Sequence, residues 1–183
     1  MQHIIKSYIK FLFHSKNEHG VHSPFVFDLV TKCFYDNTKY PEYETLKSYR
    51  KSLLENKNTI EVTDFGASSR IFKSNTREIS KIAQTAGITR KNTELLFRMS
   101  RYFQPKSVLE IVTSLGLATS ALSLGNEKAK IITLEGCPNT LATAKNMFQV
   151  SSFKFPNNTV EFINTEFNLL RRQSFQKCHF RLF

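Results

Sequence analysis

Two carboxylates, Glu110 and Glu135, stand where a chain of this kind could hold a nucleotide. Glu110 interrupts the apolar run SVLEIV at 107–112. A carboxylate buried on such a strand without partners is costly, so it calls for partners or a ligand. Glu135 closes a second apolar run at 130–134, 25 residues after Glu110 and 19 after Gly116. At the end of the second strand of a strand–helix–strand unit, a carboxylate can accept both hydroxyls of a ribose in a bidentate bond, which a neutral side chain does less well. The turn at 113–116 must let the backbone approach such a ligand, and the helix behind it offers free N–H groups. A glycine pattern alone is a weak signal. The turn together with an acid in that register is a more specific one.

Other reactive residues carry less. Cys137 follows Glu135 closely, but no histidine stands near it in sequence, so it reads as a small packing residue and not a nucleophile. His14, His19 and His22 have no cysteine or acidic companion with ligand spacing, so capping or packing roles are expected and no metal site is assigned. Asp64-Phe65-Gly66 matches the magnesium motif of kinases, yet the glycine-rich loop, the strand lysine and the catalytic-loop motif are missing upstream.

The elements that must position the two acids follow from periodicity and caps. Apolar residues Ile4, Ile5, Tyr8, Ile9 and Leu12 recur at helical spacing over 3–13. That stripe is expected to pack onto the rest of the protein. Ser23 before Pro24 starts a helix over 24–35, and further helices are expected over 42–56, 75–86 and 90–103, the last behind Thr89 as cap. A polar turn lies at 64–69. From Pro105 the pattern changes to strand (107–112), turn, helix (117–124), strand (130–134), helix (138–148) and strand (159–163). This is the first half of a doubly wound α/β sheet. The expected organisation is an all-helical segment over 1–104, an incomplete Rossmann-like domain over 105–167, and an aberrant tail over 168–183. Such a sheet would leave an exposed apolar edge at its last strand.

Composition sets outer bounds. The 183 residues are 40% hydrophobic, enough for a core, and three separated cysteines make neither a disulfide framework nor a zinc signature. No apolar run has the length to cross a bilayer and the N-terminus is a poor signal peptide, so no membrane is expected and the cytoplasm is the default location. The net charge of +11 is concentrated in the first 106 residues, where 18 Lys and Arg stand against 10 Asp and Glu. That excess admits an RNA partner or simple solubility charge.

The residues also carry a resemblance. Val108-Leu109-Glu110-Ile111-Val112-Thr113-Ser114-Leu115-Gly116 resembles the ExGxxxG motif I of class I S-adenosylmethionine-dependent methyltransferases, and Thr133-Leu134-Glu135-Gly136-Cys137 resembles their motif II. With HGVHSPFVF, DFGA, ISKIA and LLFR in order, residues 1–167 resemble a Bacteroidetes-type group of methyltransferase-like proteins. The resemblance implies a Rossmann-like methyltransferase fold, S-adenosylmethionine as cofactor, and methyl transfer to an oxygen or nitrogen of an unidentified acceptor. It implies that Glu110 lies near the methionine end of the cofactor, that Thr113, Ser114 and Gly116 form its loop, that Glu135 takes the ribose and that Asn164 lies by the adenine. No catalytic base is assigned. Two departures stand out. Val112 replaces the first glycine of motif I, where a β-branched side chain cannot cheaply adopt positive φ and would push into the cofactor's space. The FDxxFxDG-like continuation of the family is missing after residue 167, so the chain is expected to be shortened and its activity lost. The rival readings are a basic nucleic-acid-binding module and a non-catalytic remnant, and a homo-oligomer would cover the open sheet edge.

Overall fold

A computed structural model describes residues 2–15, 20, 22–65, 71–150, 153, 155 and 160–165. The chain divides into two compact units, residues 1–38 and 39–183.

In the first unit, helix α1 (Gln2–His14) is followed by α2 (Pro24–Leu29), which runs on into a π-helical turn, Val30–Phe34. Ser23 caps α2 as its type predicts: its hydroxyl accepts the Val26 N–H at 3.4 Å, and Pro24 occupies the first helical position. The apolar stripe of α1 is not buried within this unit. Ile4, Ile5, Tyr8, Ile9 and Leu12 are all exposed in it. His14 ends the helix with Nδ1 on the Lys10 carbonyl at 2.8 Å, a capping role, while His19 lies outside the described residues.

The second unit begins with α3 (Glu42–Glu55), whose Leu46, Tyr49 and Leu53 are buried along one side. Two short strands, β1 (Thr59–Glu61) and β2 (Thr76–Glu78), pair antiparallel with Ile60 opposite Arg77. The segment ahead of the parallel sheet is therefore not purely helical. Residues 76–78, expected at the start of a helix, are extended because they find a partner strand, and the helix begins only behind Glu78 as α4 (Ile79–Thr85). Cross-strand pairing overrides local helical periodicity here. Helix α5 (Arg90–Phe103) starts at Thr89, whose hydroxyl accepts the Asn92 N–H at 3.3 Å.

Strands β3 (Ser107–Ile111), β4 (Lys130–Glu135) and β5 (Val160–Asn164) form a parallel sheet in that order, with α6 (Leu117–Gly125) and α7 (Pro138–Phe148) as the crossovers. The register sets Glu110 beside Thr133 and Glu135 beside Asn164. Thr159 lies outside the described residues. Among the described residues β3 and β5 are the two edge strands of this sheet. Leu109 is 55% and Ile111 51% exposed on β3, whereas Val160, Phe162 and Ile163 of β5 are half-buried.

Two apolar clusters lock the helices to the sheet's first turn. One joins Tyr49, Leu53, Ile79 and Ile82 to Leu115 and Leu117, so α3 and α4 seat the loop between β3 and α6. The other joins Leu46 and Phe97 to Ala121 and Leu124. Helices α5 and α6 approach closely because position 125 is glycine: a Cβ there would lie 2.5 Å from the Phe97 carbonyl oxygen and 2.7 Å from Ser100 Cβ. Ser100 uses the closeness to donate to the Leu122 carbonyl at 2.9 Å. Among the described residues no helix is long and apolar enough to cross a membrane.

Candidate functional site

The turn that follows β3 has an unusual backbone. Val112 has φ 74°, Ser114 has φ 49° and Gly116 has φ 75°. Alternating left-handed residues fold the chain sharply enough to deliver it into α6, whose N-cap is Gly116. Glycine adopts that conformation freely, but a β-branched valine does so only under strain. The turn does need positive φ at position 112, and Val112 supplies it at a cost on the order of 1–3 kcal/mol.

What holds the turn is a set of bonds from behind and from the side. The Thr113 N–H donates to the Leu134 carbonyl at 2.9 Å, and the Gly116 N–H closes back on the Thr113 carbonyl at 2.9 Å. Tyr49, fully buried on α3, donates its hydroxyl to the Leu115 carbonyl at 2.9 Å. Burial, and next the nearby Glu110, push that phenol further up from its ordinary pKa, so it is a permanent donor.

Behind the turn lies a buried polar cluster. Glu110 Oε2 accepts the Thr119 hydroxyl at 2.5 Å and the Thr133 hydroxyl at 2.7 Å, and Thr133 Oγ1 lies 2.6 Å from Thr113 Oγ1. The other oxygen, Oε1, is buried with no partner among the described residues. Burial raises the pKa of this carboxyl above its ordinary value, against the threonine bonds that lower it, with a further raising contribution from Glu135.

Glu135 stands on the open side. Its carboxylate accepts the Ser114 N–H on Oε2 at 2.9 Å and the Cys137 N–H on Oε1 at 3.1 Å. Each carboxylate oxygen can accept about two hydrogen bonds. One per oxygen fixes the group, which leaves one per oxygen for a vicinal diol. Asn164, at the end of β5, donates Nδ2 to the Glu135 carbonyl at 2.9 Å and to the Gly136 carbonyl at 3.0 Å, and the Thr165 N–H reaches the same Glu135 carbonyl at 3.0 Å. These contacts tie the strand ends together beside the acid.

Glu135, Ser114, Val112 and Cys137 line a cleft of about 370 Å³ whose opposite wall is the segment around β1 and β2, with Asp64, Phe65, Phe72 and Arg77. Nucleotide and drug-sized ligands occupy clefts of roughly 300–1,000 Å³. The two sides are stitched together: Cys137 Sγ accepts the Thr63 N–H at 3.3 Å, and Asn139 Nδ2 donates to the Glu61 carbonyl at 2.8 Å. Cys137 is thus a packing and bonding residue.

The sequence-expected residues divide into two groups. Ser114 and Glu135 line the cleft, with Gly116 capping α6 at the turn's end and Asn164 at the neighbouring strand end. Glu110 and Thr113 are buried in the cluster behind the turn and hold its shape. Sequence reasoning missed Tyr49, Thr119 and Thr133, and it read 64–69 as a turn without a site. Thr133 could have been found, because the parallel register places it beside Glu110. Arg77 gave no such signal.

A three-stranded parallel sheet with crossover helices, with a left-handed turn after its first strand and an acid after its second, is a Rossmann-like α/β fold. Among solved structures, a methyltransferase of Podospora anserina with S-adenosylhomocysteine bound is similar at 16% identity and a TM-score of 0.52, over 90% of this chain and 57% of that one. An O-methyltransferase of Bacillus cereus in complex with S-adenosylhomocysteine and a putative O-methyltransferase of Klebsiella pneumoniae each align at 14% identity and a TM-score of 0.45. They cover 82% of this chain, and 58% and 53% of those proteins. The chain therefore spans a little over half the length of each. No known family's sequence pattern matches the chain, and no curated protein sequence does.

Proposed function

We propose that this chain binds S-adenosylmethionine in the cleft beside Glu135, as the cofactor part of a methyltransferase acting on an oxygen or nitrogen of its acceptor. The observation that carries the reading is the Glu135 carboxylate, held by the Ser114 and Cys137 amides with one acceptor position per oxygen left over. That donor set fits the vicinal hydroxyls of a ribose. The likeness of fold to a methyltransferase that was crystallised with S-adenosylhomocysteine supports the choice of nucleoside. In this reading Ser114 and Gly116 contribute backbone to the cofactor's loop, Asn164 lies at the adenine side, and Glu110 and Thr113 support the loop from beneath. The cofactor supplies a methyl group on a positively charged sulfur, and the protein's contribution is to hold it in line with the acceptor. Residues 105–167 are the cofactor-binding part in this proposal.

The test is calorimetric titration of the chain with S-adenosylhomocysteine. Glu135→Gln keeps the size and one acceptor but loses the charge, so binding should weaken about tenfold to a hundredfold. Equal affinity in the variant, or no binding by a folded wild-type chain, would refute the reading.

A further inference from the structure

Arg77 is held at the boundary of two cavities. It lines the cleft of Glu135 and Ser114, and it also lines an adjoining cavity of about 430 Å³ with Thr63, Lys73, Ser74 and Asn75; both share Asp64 and Phe72. Its side chain is only 12% exposed and is pinned on three sides. Nη2 donates to Asp64 Oδ2 at 3.1 Å, Nε donates to the Ser74 carbonyl at 3.3 Å, and the guanidinium lies 4.9 Å from the centre of the Phe72 ring. A guanidinium has five N–H donors in a planar fork, and two are committed here. The pinning removes most of the rotamer freedom that a free arginine loses on binding, and the Phe72 ring face adds a cation–π contact. The fork's geometry matches a carboxylate.

We propose that Arg77 is a carboxylate-binding subsite on the hairpin wall of the cleft, with Asp64 as the internal anion that a ligand's carboxylate displaces. The proposal rests on the cofactor reading for the identity of the neighbouring ligand. The carboxylate has two sources: the amino-acid end of the cofactor on the side of Glu135, or an acidic acceptor in the adjoining cavity.

The experiment compares S-adenosylhomocysteine with 5′-methylthioadenosine, which has the same nucleoside and no carboxylate, and adds benzoate as a free carboxylate. Arg77→Met retains the stem over Phe72. If the cofactor is the source, this variant weakens S-adenosylhomocysteine about tenfold to a hundredfold and leaves 5′-methylthioadenosine unchanged. If the acceptor is the source, both nucleosides bind as before, and benzoate shifts seen by NMR in the wild-type chain disappear in the variant. Asp64→Asn removes a competing anion and should strengthen whichever carboxylate binds, the opposite sign to Arg77→Met. Equal weakening of both nucleosides by Arg77→Met, or weakening by Asp64→Asn, would make the pair structural and overturn the proposal. A wild-type chain that binds neither nucleoside refutes the cofactor reading alone, since benzoate still tests Arg77; no benzoate shift in that case overturns the subsite as well.

Discussion

Val112 is the position where the backbone and the ligand make opposite demands on a side chain, and replacing it with glycine separates them. At φ 74° a valine carries strain on the order of 1–3 kcal/mol, which Val112→Gly releases. Against that, glycine adds about 0.5–1 kcal/mol of chain entropy to the unfolded state. The side chain is 63% exposed, so the burial lost is about a third of the roughly 1.5–3 kcal/mol of a fully buried valine, on the order of 0.5–1 kcal/mol. These contributions nearly cancel, and urea denaturation should place Val112→Gly within about 1 kcal/mol of wild type. Affinity should not cancel. Val112 lines the same cleft as Glu135, so removing its methyl groups opens space for the nucleoside and should tighten S-adenosylhomocysteine about tenfold. Val112→Ala divides the causes: it trims the branch but keeps a Cβ at positive φ. If crowding dominates, alanine recovers most of the affinity; if backbone strain dominates, it recovers little. A glycine variant that is destabilised by more than about 2 kcal/mol and binds no tighter would refute the reasoning.

Three further outcomes follow from the groups around the turn. The pKa of Glu110 is raised in the folded chain above its ordinary 4.5, so the native state holds this proton more tightly than the unfolded state does. Its contribution to stability is present below the ordinary range and is lost as pH rises through the raised value, so wild-type urea midpoints should fall over that window while those of Glu110→Gln stay flatter; parallel curves from pH 4 to 8 would count against it. Thr133→Val deletes a donor to Glu110 and the contact with Thr113, and should cost about 1–3 kcal/mol in chemical denaturation, with loss under 0.5 kcal/mol showing that the cluster is not needed. Gly125→Ala drives a methyl against the Phe97 carbonyl and should lower stability by about 1–3 kcal/mol, measurable as a fall in Tm.

Much of the parallel sheet was readable because each signal was local. The run 107–112, the proline at 138 and the acid closing 130–135 each announce their element within a few residues, and β3, α7 and β4 lie where those signals put them. Ser23 and Thr89 bond as caps because the N-cap geometry depends on little beyond three neighbouring residues. The strand pair β1–β2 was not readable. Thr76-Arg77-Glu78 becomes extended only through a partner 15 to 19 residues earlier, and nothing within the segment itself specifies that pairing. The hydroxyl bond of Tyr49 to Leu115 spans 66 positions, and no spacing rule reaches that far.

The two acids show why residue type is weaker evidence than surroundings. Sequence position set Glu110 within one apolar strand and Glu135 at the end of the next. Strand alternation separates them. On β3 the side chain at 110 is met by Thr119 from α6 and Thr133 from β4, while Leu109 and Ile111 face the other way into exposure. Glu135 instead lies just where β4 ends, and the chain's turn toward α7 brings the Cys137 amide round to one oxygen as the left-handed turn brings Ser114 to the other. An enclosed carboxyl can brace a loop but turns no side to the cleft. A fixed, half-exposed carboxylate can serve a ligand because its fixing bonds approach from the protein side. The strained turn that joins them gives that division its purpose: the cluster around Glu110 holds Val112 and Ser114 in left-handed backbone, and Ser114 in that backbone directs its N–H at Glu135. Loosening the buried acid should therefore be felt at the exposed one.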